Sequence, residues 1–182
     1  MIERLVDDEK QIKKLLLKYR TRVNLKVLII KVLAIVLVLY LVFTFILGIF
    51  RMSGLSMYPR IGDSDLVLYY RLANKYNVGD VIVLNEGSNT YTLRIIGIEG
   101  QTIDIDKDGN LMADNHVVNE KIFYKTFKST NSKIKYPYKI PKGEYFVLGD
   151  FRMSSTDSRD FGSITKDQIK GKVINILRSR DL

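Results

Sequence analysis

Residues 80–98 read DVIVLNEGSNTYTLRIIGI. Two runs rich in β-branched and aromatic side chains, Asp80–Asn85 and Tyr91–Ile98, flank the polar group Glu86-Gly87-Ser88-Asn89. That is the pattern of two short strands separated by a turn: the branched side chains suit a pleated surface, and Gly and Asn tolerate the tight backbone. The same alternation extends outward. Asp65–Arg71, Thr102–Asp106, Leu111–Asn119, Glu144–Leu148 and Lys172–Arg178 are further strand signals, punctuated by Asn77 to Gly79, Asp108-Gly109-Asn110 and Pro141-Lys142-Gly143. Seven short strands predict a mainly β, antiparallel, barrel-like domain. Residues 120–140, rich in Lys and Tyr and without periodicity, predict a long loop or exposed hairpin.

Upstream lies a different kind of sequence. Residues 32–50, VLAIVLVLYLVFTFILGIF, hold no charge over 19 positions. At about 1.5 Å per helical residue that run crosses a hydrocarbon core of about 30 Å. A secretory signal would have a shorter apolar region and a small-residue cleavage site, so the run predicts an uncleaved anchor. Lys10, Lys13, Lys14, Lys18, Arg20, Arg22 and Lys26 precede it and only Arg51 follows closely. The bias of positive charge toward the cytoplasmic side therefore predicts a single-pass protein of the cell membrane in three parts: a cytoplasmic basic segment, 1–26; a transmembrane anchor in contact with membrane lipid, 27–50; and an extracytoplasmic β domain, 51–182. Leu5, Leu15, Leu16, Leu17 and Tyr19 suggest a short amphipathic helix in the first part, either docked on anionic lipid or solvated.

Composition narrows the chemistry. The chain of 182 residues has no cysteine and one histidine, which excludes disulfide scaffolds, zinc ribbons and cysteine nucleophiles. Its net charge of +9 forms no basic stripe interleaved with aromatics, so no nucleic-acid partner is expected. No cofactor or metal is implied. Asp104-x-Asp106-x-Asp108-Gly109 imitates the start of a calcium loop, but its twelfth position is Asn115 and its surroundings read as strand; a polar hairpin turn is expected there.

Ser53-Gly54-Leu55-Ser56-Met57-Tyr58-Pro59 puts a serine on a sharp turn, where its Oγ and its own N–H can meet one substrate atom. By itself the turn is common. With Arg94-Ile95-Ile96-Gly97-Ile98-Glu99-Gly100 and Gly149-Asp150-Phe151-Arg152-Met153-Ser154-Ser155-Thr156-Asp157-Ser158-Arg159 following in that order behind one anchor, it resembles the type I signal peptidases, membrane-anchored bacterial serine endopeptidases. The resemblance covers roughly residues 27–178. It implies a signal-peptidase β domain that cuts the signal peptides of exported preproteins with a Ser/Lys dyad, taking substrate as an extended strand. It assigns Ser56 as nucleophile, places the lysine base at Leu93, and gives supporting roles to Arg94, Asp150, Arg152, Ser155, Asp157, Ser158 and Arg159. Ser155 is the residue that orients the lysine amine in this family, and Arg94 with Asp157 or Arg159 is expected to brace the site.

The departure is at Leu93, where the family has lysine. Arg94 does not substitute, because a guanidinium stays protonated at neutral pH, and a dyad needs an amine that can take the serine proton. His116 sits in hairpin sequence and reads as a surface residue; Lys75, Lys125 and Lys128 are the remaining candidate amines from other segments. Arg60 stands where the family has Thr, Phe151 where it has Asn, and Glu99 and Gln101 in a usual Pro-Gly-Asp turn. Three functions remain open. One is a signal peptidase using Ser56 and a different base. The second is a catalytically inactive relative that binds extended segments of surface-protein subunits, as signal-peptidase-like proteins of Gram-positive bacteria do in pilus assembly. The third is a membrane-anchored structural β domain.

Overall fold

In the structure, a computed structural model, the quoted stretch forms strands β3 (Val81–Glu86) and β4 (Asn89–Ile98), paired antiparallel from Val81 opposite Arg94 to Glu86 opposite Asn89. Residues 2–120, 122 and 124–178 are described, with only the backbone course for 2–10 and 12. Lys121 and Phe123 of the expected 120–140 loop, and the last four residues of the expected 51–182 domain, lie outside them.

Helix α1 runs from Ile2 to Leu41 and continues as a π-helical turn over Val42–Ile46. It is long and apolar enough to cross a membrane. The helical part of the uncharged run stops there. Its last residues form strand β1 (Leu47–Arg51), which pairs with β2 (Leu66–Tyr70) from Leu47 opposite Tyr70 to Arg51 opposite Leu66. Two compact units result, 1–44 and 45–182.

The second unit contains β5 (Thr102–Ile105), β6 (Leu111–Ala113), β7 (His116–Val117), β8 (Tyr138–Lys139), β9 (Glu144–Leu148), α2 (Ser158–Phe161), β10 (Ile164–Thr165) and β11 (Ile169–Leu177). A seven-stranded sheet has the order β1-β2-β11-β3-β4-β9-β10 and a four-stranded sheet the order β7-β6-β5-β8. Every pairing is antiparallel, and the fold is mainly β as expected. One expected strand is corrected. Leu111–Asn119 is a hairpin, because Asp114 and Asn115 both take positive φ (49° and 64°) and turn the chain in two residues.

Alternation along the central strands divides the core. Leu93 and Ile95 face Ile82, Leu84, Val147, Ile164 and Tyr76 in one apolar cluster. Val83 faces the other way, into Met52, Met57, Ile61, Val67 and Tyr69. A third cluster, with Ile96, Ile103, Ile140, Phe146 and Leu148, joins the two sheets.

In the acidic turn after β5, Asp106 Oδ1 accepts from the N–H groups of Asp108 (2.9 Å) and Asn110 (2.8 Å), and its Oδ2 from the Asn110 side chain (2.7 Å). Those bonds to Asn110 hold its carboxyl below the ordinary range.

Candidate active site

The Ser56 turn follows directly from β1. Its carbonyl accepts a hydrogen bond from the N–H of Phe151 (2.9 Å), which fastens the turn to the chain leaving β9. Gly149 makes that approach possible. A Cβ there would stand 2.2 Å from Ser155 Oγ and 2.5 Å from the Ser56 carbonyl oxygen, so no larger residue fits. Ser56, Gly149, Phe151 and Ser155 thus meet at one place. Phe151, in the position of the family's asparagine, puts its ring edge-on to Tyr124 (4.8 Å between centroids) and to Tyr58 (6.3 Å).

Four of the charged residues pair among themselves. Arg94 donates from Nε and Nη2 to the two carboxylate oxygens of Asp150 (2.7 and 2.6 Å) and from Nη1 to the Gly79 carbonyl (2.7 Å). Arg159 donates from Nε and Nη2 to the two oxygens of Asp157 (both 2.9 Å). The expectation that Arg94 would be braced by Asp157 or Arg159 is therefore corrected: its partner is Asp150, and Asp157 and Arg159 satisfy one another. Such fork-to-fork pairs fix geometry as well as charge.

Asp157 is fully buried and is further used by backbone. Its oxygens accept from the N–H groups of Gly149 and Arg159 (both 3.1 Å), capping α2, while its own N–H donates to Asp160. Burial pulls the Arg159 guanidinium down, but the bonds to Asp157 and the charges of Asp157 and Asp160 outweigh it, and its pKa lies above the ordinary value. Ser158 Oγ accepts from the Val147 N–H (2.9 Å).

These arginines also order the long loop. Arg152 donates to the Gly149 carbonyl (2.8 Å), to Thr126 Oγ1 and to both oxygens of Glu120 (2.7 and 2.8 Å). Arg159 reaches the Phe127 carbonyl (3.2 Å). Sequence reasoning missed Glu120, Thr126 and Phe127, because nothing local marks a partner that far along the chain.

The dyad's second half is different. Leu93 lies on β4 with no exposed surface, among Ile82, Leu84, Ile95 and Val147. Ser155 Oγ is buried and has no hydrogen-bond partner among the described residues. Two of the alternative amines are engaged elsewhere: Lys125 donates to Asn110 (2.7 Å), and Lys128 pairs with Asp104 (3.0 Å) above the Tyr136 ring. Lys75 is exposed, as is His116, whose Nδ1 lies 2.8 Å from the Asp114 carbonyl. Among the described residues no group of three or more His, Asp or Glu side chains is arranged to hold a metal.

A family model described as signal peptidase, peptidase S26, matches residues 25–177. Signal peptidase I P of Bacillus subtilis subsp. natto is 33% identical over 151 residues, 77% of this chain and 81% of its own. Signal peptidase IB of Staphylococcus aureus is 33% identical over 153 residues, 75% of this chain and 80% of its own. A solved signal peptidase I from Enterococcus faecalis V583 covers 56% of this chain and 98% of its own at 24% identity, with a TM-score of 0.45. The chain belongs to the signal peptidase S26 family.

Proposed function

We propose that this protein binds the signal-peptide regions of exported preproteins, or extended segments of surface-protein subunits such as pilins, at the Ser56 turn, and that it lacks the hydrolytic step. The observation that carries this reading is the full burial of Leu93 among apolar side chains at the position of the lysine base. The buried side chains clustered with Leu93 are apolar apart from the Tyr76 ring, and among the described residues the Ser155 hydroxyl assigned to orient the amine has no partner. A buried general base contributes about 10²–10⁴ in rate, so without one a serine cuts a peptide bond too slowly to process a secretory flux. In this reading the helical residues 27–46 anchor the protein in the membrane, with 1–26 in the cytoplasm and the β domain, which begins at β1 and not at residue 51, outside. The anchor keeps the domain on the membrane that its signal-peptide ligands also occupy, raising their effective concentration.

The test is preprotein cleavage by the full chain in detergent, beside Ser56→Ala, Leu93→Lys and Leu93→Met. We expect binding without cleavage by the wild type, cleavage gained in Leu93→Lys, and none in Leu93→Met, which repacks the same volume without an amine. Cleavage by the wild type that Ser56→Ala abolishes overturns the reading. A second reading would then hold, that of a serine endopeptidase with an unrecognised base; the fastening of the Ser56 turn to Phe151 favours it.

A further inference from the structure

Strand β11 is longer than the strand beside it. On one side it pairs with β2 as far as Leu177 opposite Leu66. On the other it pairs with β3 only as far as Lys172 opposite Ile82. β3 begins at Val81, and the two residues before it are bonded to β4, with no β11 pairing beyond Lys172: Gly79 donates to the Ile95 carbonyl and the Asp80 carbonyl accepts from the Ile95 N–H (2.8 and 2.9 Å). Residues 173–177 therefore present an open backbone edge in line with β3. The N–H of Ile176 is taken by the side chain of its own neighbour, Asn175 Oδ1 (2.8 Å), a local substitute for a missing strand.

This edge borders a cavity of about 510 Å³, whose lining includes Met57, Ile61, Gly79, Asp80, Arg60 and Arg178. Its charges are unbalanced. Lys172 is paired with Asp80 (2.7 Å) and Arg94 with Asp150. Arg60 and Arg178 are exposed and have no acidic partner among the described residues. Arg60 also lines a smaller cavity that shares Gly79 and Arg94 with the first.

We propose that the free edge of β11 is a second peptide-binding site, which takes an extended acidic segment of a partner protein as an added strand collinear with β3. Main-chain bonds to residues 173–177 would supply the pairing. Arg60 and Arg178 would select acidic side chains, and the apolar floor would take the alternate residues of the strand. Five residues at about 3.3 Å each give an edge of about 16 Å. This site is argued from the β11 edge and from Arg60 and Arg178, not from the reading of Ser56, whose neighbour Met57 lines the same cavity.

The probe is a fluorescent hexapeptide alternating Asp and Val, measured by polarisation against the full chain in detergent, with a Lys/Val hexapeptide as control. We expect the acidic peptide to bind, the basic one not to, and Arg60→Glu with Arg178→Glu to weaken binding tenfold or more while the unfolding temperature is kept. Hydrogen exchange at residues 173–177 should slow in the complex. An Ala-x-Ala signal-peptide analogue should not displace the probe. Absent binding, equal binding of both peptides, unchanged affinity in the double variant, unchanged exchange at β11, or displacement by the analogue overturns the proposal. So does a preference of Arg60 and Arg178 for phosphatidylglycerol vesicles over the peptide. Loss of the analogue's own binding would count against the Ser56 reading alone.

Discussion

Leu93 and Arg94 are consecutive on β4 and point to opposite faces of the sheet. Arg94 keeps a two-pronged bond to Asp150 and a third bond to Gly79. Leu93 keeps nothing polar and has become part of a hydrocarbon core. The block at 149–159 repeats the contrast: Asp150, Arg152, Asp157, Ser158 and Arg159 are all bonded, while Ser155 Oγ is not. A buried ion pair that loses one member leaves an uncompensated charge, which is strongly destabilising. In the proposed reading, a lysine kept at position 93 for proton transfer is exchanged for leucine at no such penalty, since apolar burial stabilises. On that reading stability preserves the brace and is indifferent to the base.

The widest gap between the two sets should appear on Asp157→Ala. It strands Arg159 and frees two N–H groups, and we expect a loss of about 4 kcal/mol in urea unfolding; an effect under about 1 kcal/mol would break the contrast. Leu93→Ala comes next. If this position is now core, deletion should cost about 3 kcal/mol by the same measurement, whereas Leu93→Met stays within about 1.5 kcal/mol. A smaller effect is pH-dependent. Burial, with the Asp157 charge second, raises the Tyr136 phenol well above its ordinary value. A raised folded pKa gives stability that is complete below the unfolded value near 10 and lost as pH climbs past it, because only the unfolded chain ionises. Wild-type stability should fall relative to Tyr136→Phe by about 1.4 kcal/mol at pH 11, with no such divergence at pH 8. The smallest effect belongs to Ser155→Ala. Removing an unpaired buried hydroxyl should be neutral or stabilising by up to about 1 kcal/mol; a clear loss would mean that Ser155 has a partner in solution.

Much of this was legible in the chain, for reasons that differ by region. Strands β2 to β5, β9 and β11 carry β-branched runs bounded by turn residues, so local preference and tertiary structure agree. β1 was hidden because Leu47–Phe50 is as apolar as the helix before it, and composition cannot tell a lipid-facing helix from a sheet strand. β8 and β10, of two residues each, are too short to show a period. At the site, the motif blocks singled out Ser56 and Ser155, which the structure brings together around Gly149. They did not reveal that Arg94 belongs to Asp150, because Asp150 and Asp157 look equally available in one dimension. The partners of Arg152 lie across the long loop, where no pattern points to them.

The position of β11 has a consequence for how the protein is made. This late strand lies between β2 and β3, so the first hairpin, β1–β2, pairs with no other strand of its sheet until residues 169–177 have been synthesised. During elongation that hairpin carries an unsatisfied inner edge for nearly the whole length of the domain. A ribosome stalled before Ile169 would hold a chain whose Ser56 turn can already meet Phe151 but whose β1–β2 hairpin has no strand beside it, so the sheet around the site closes only when β11 arrives.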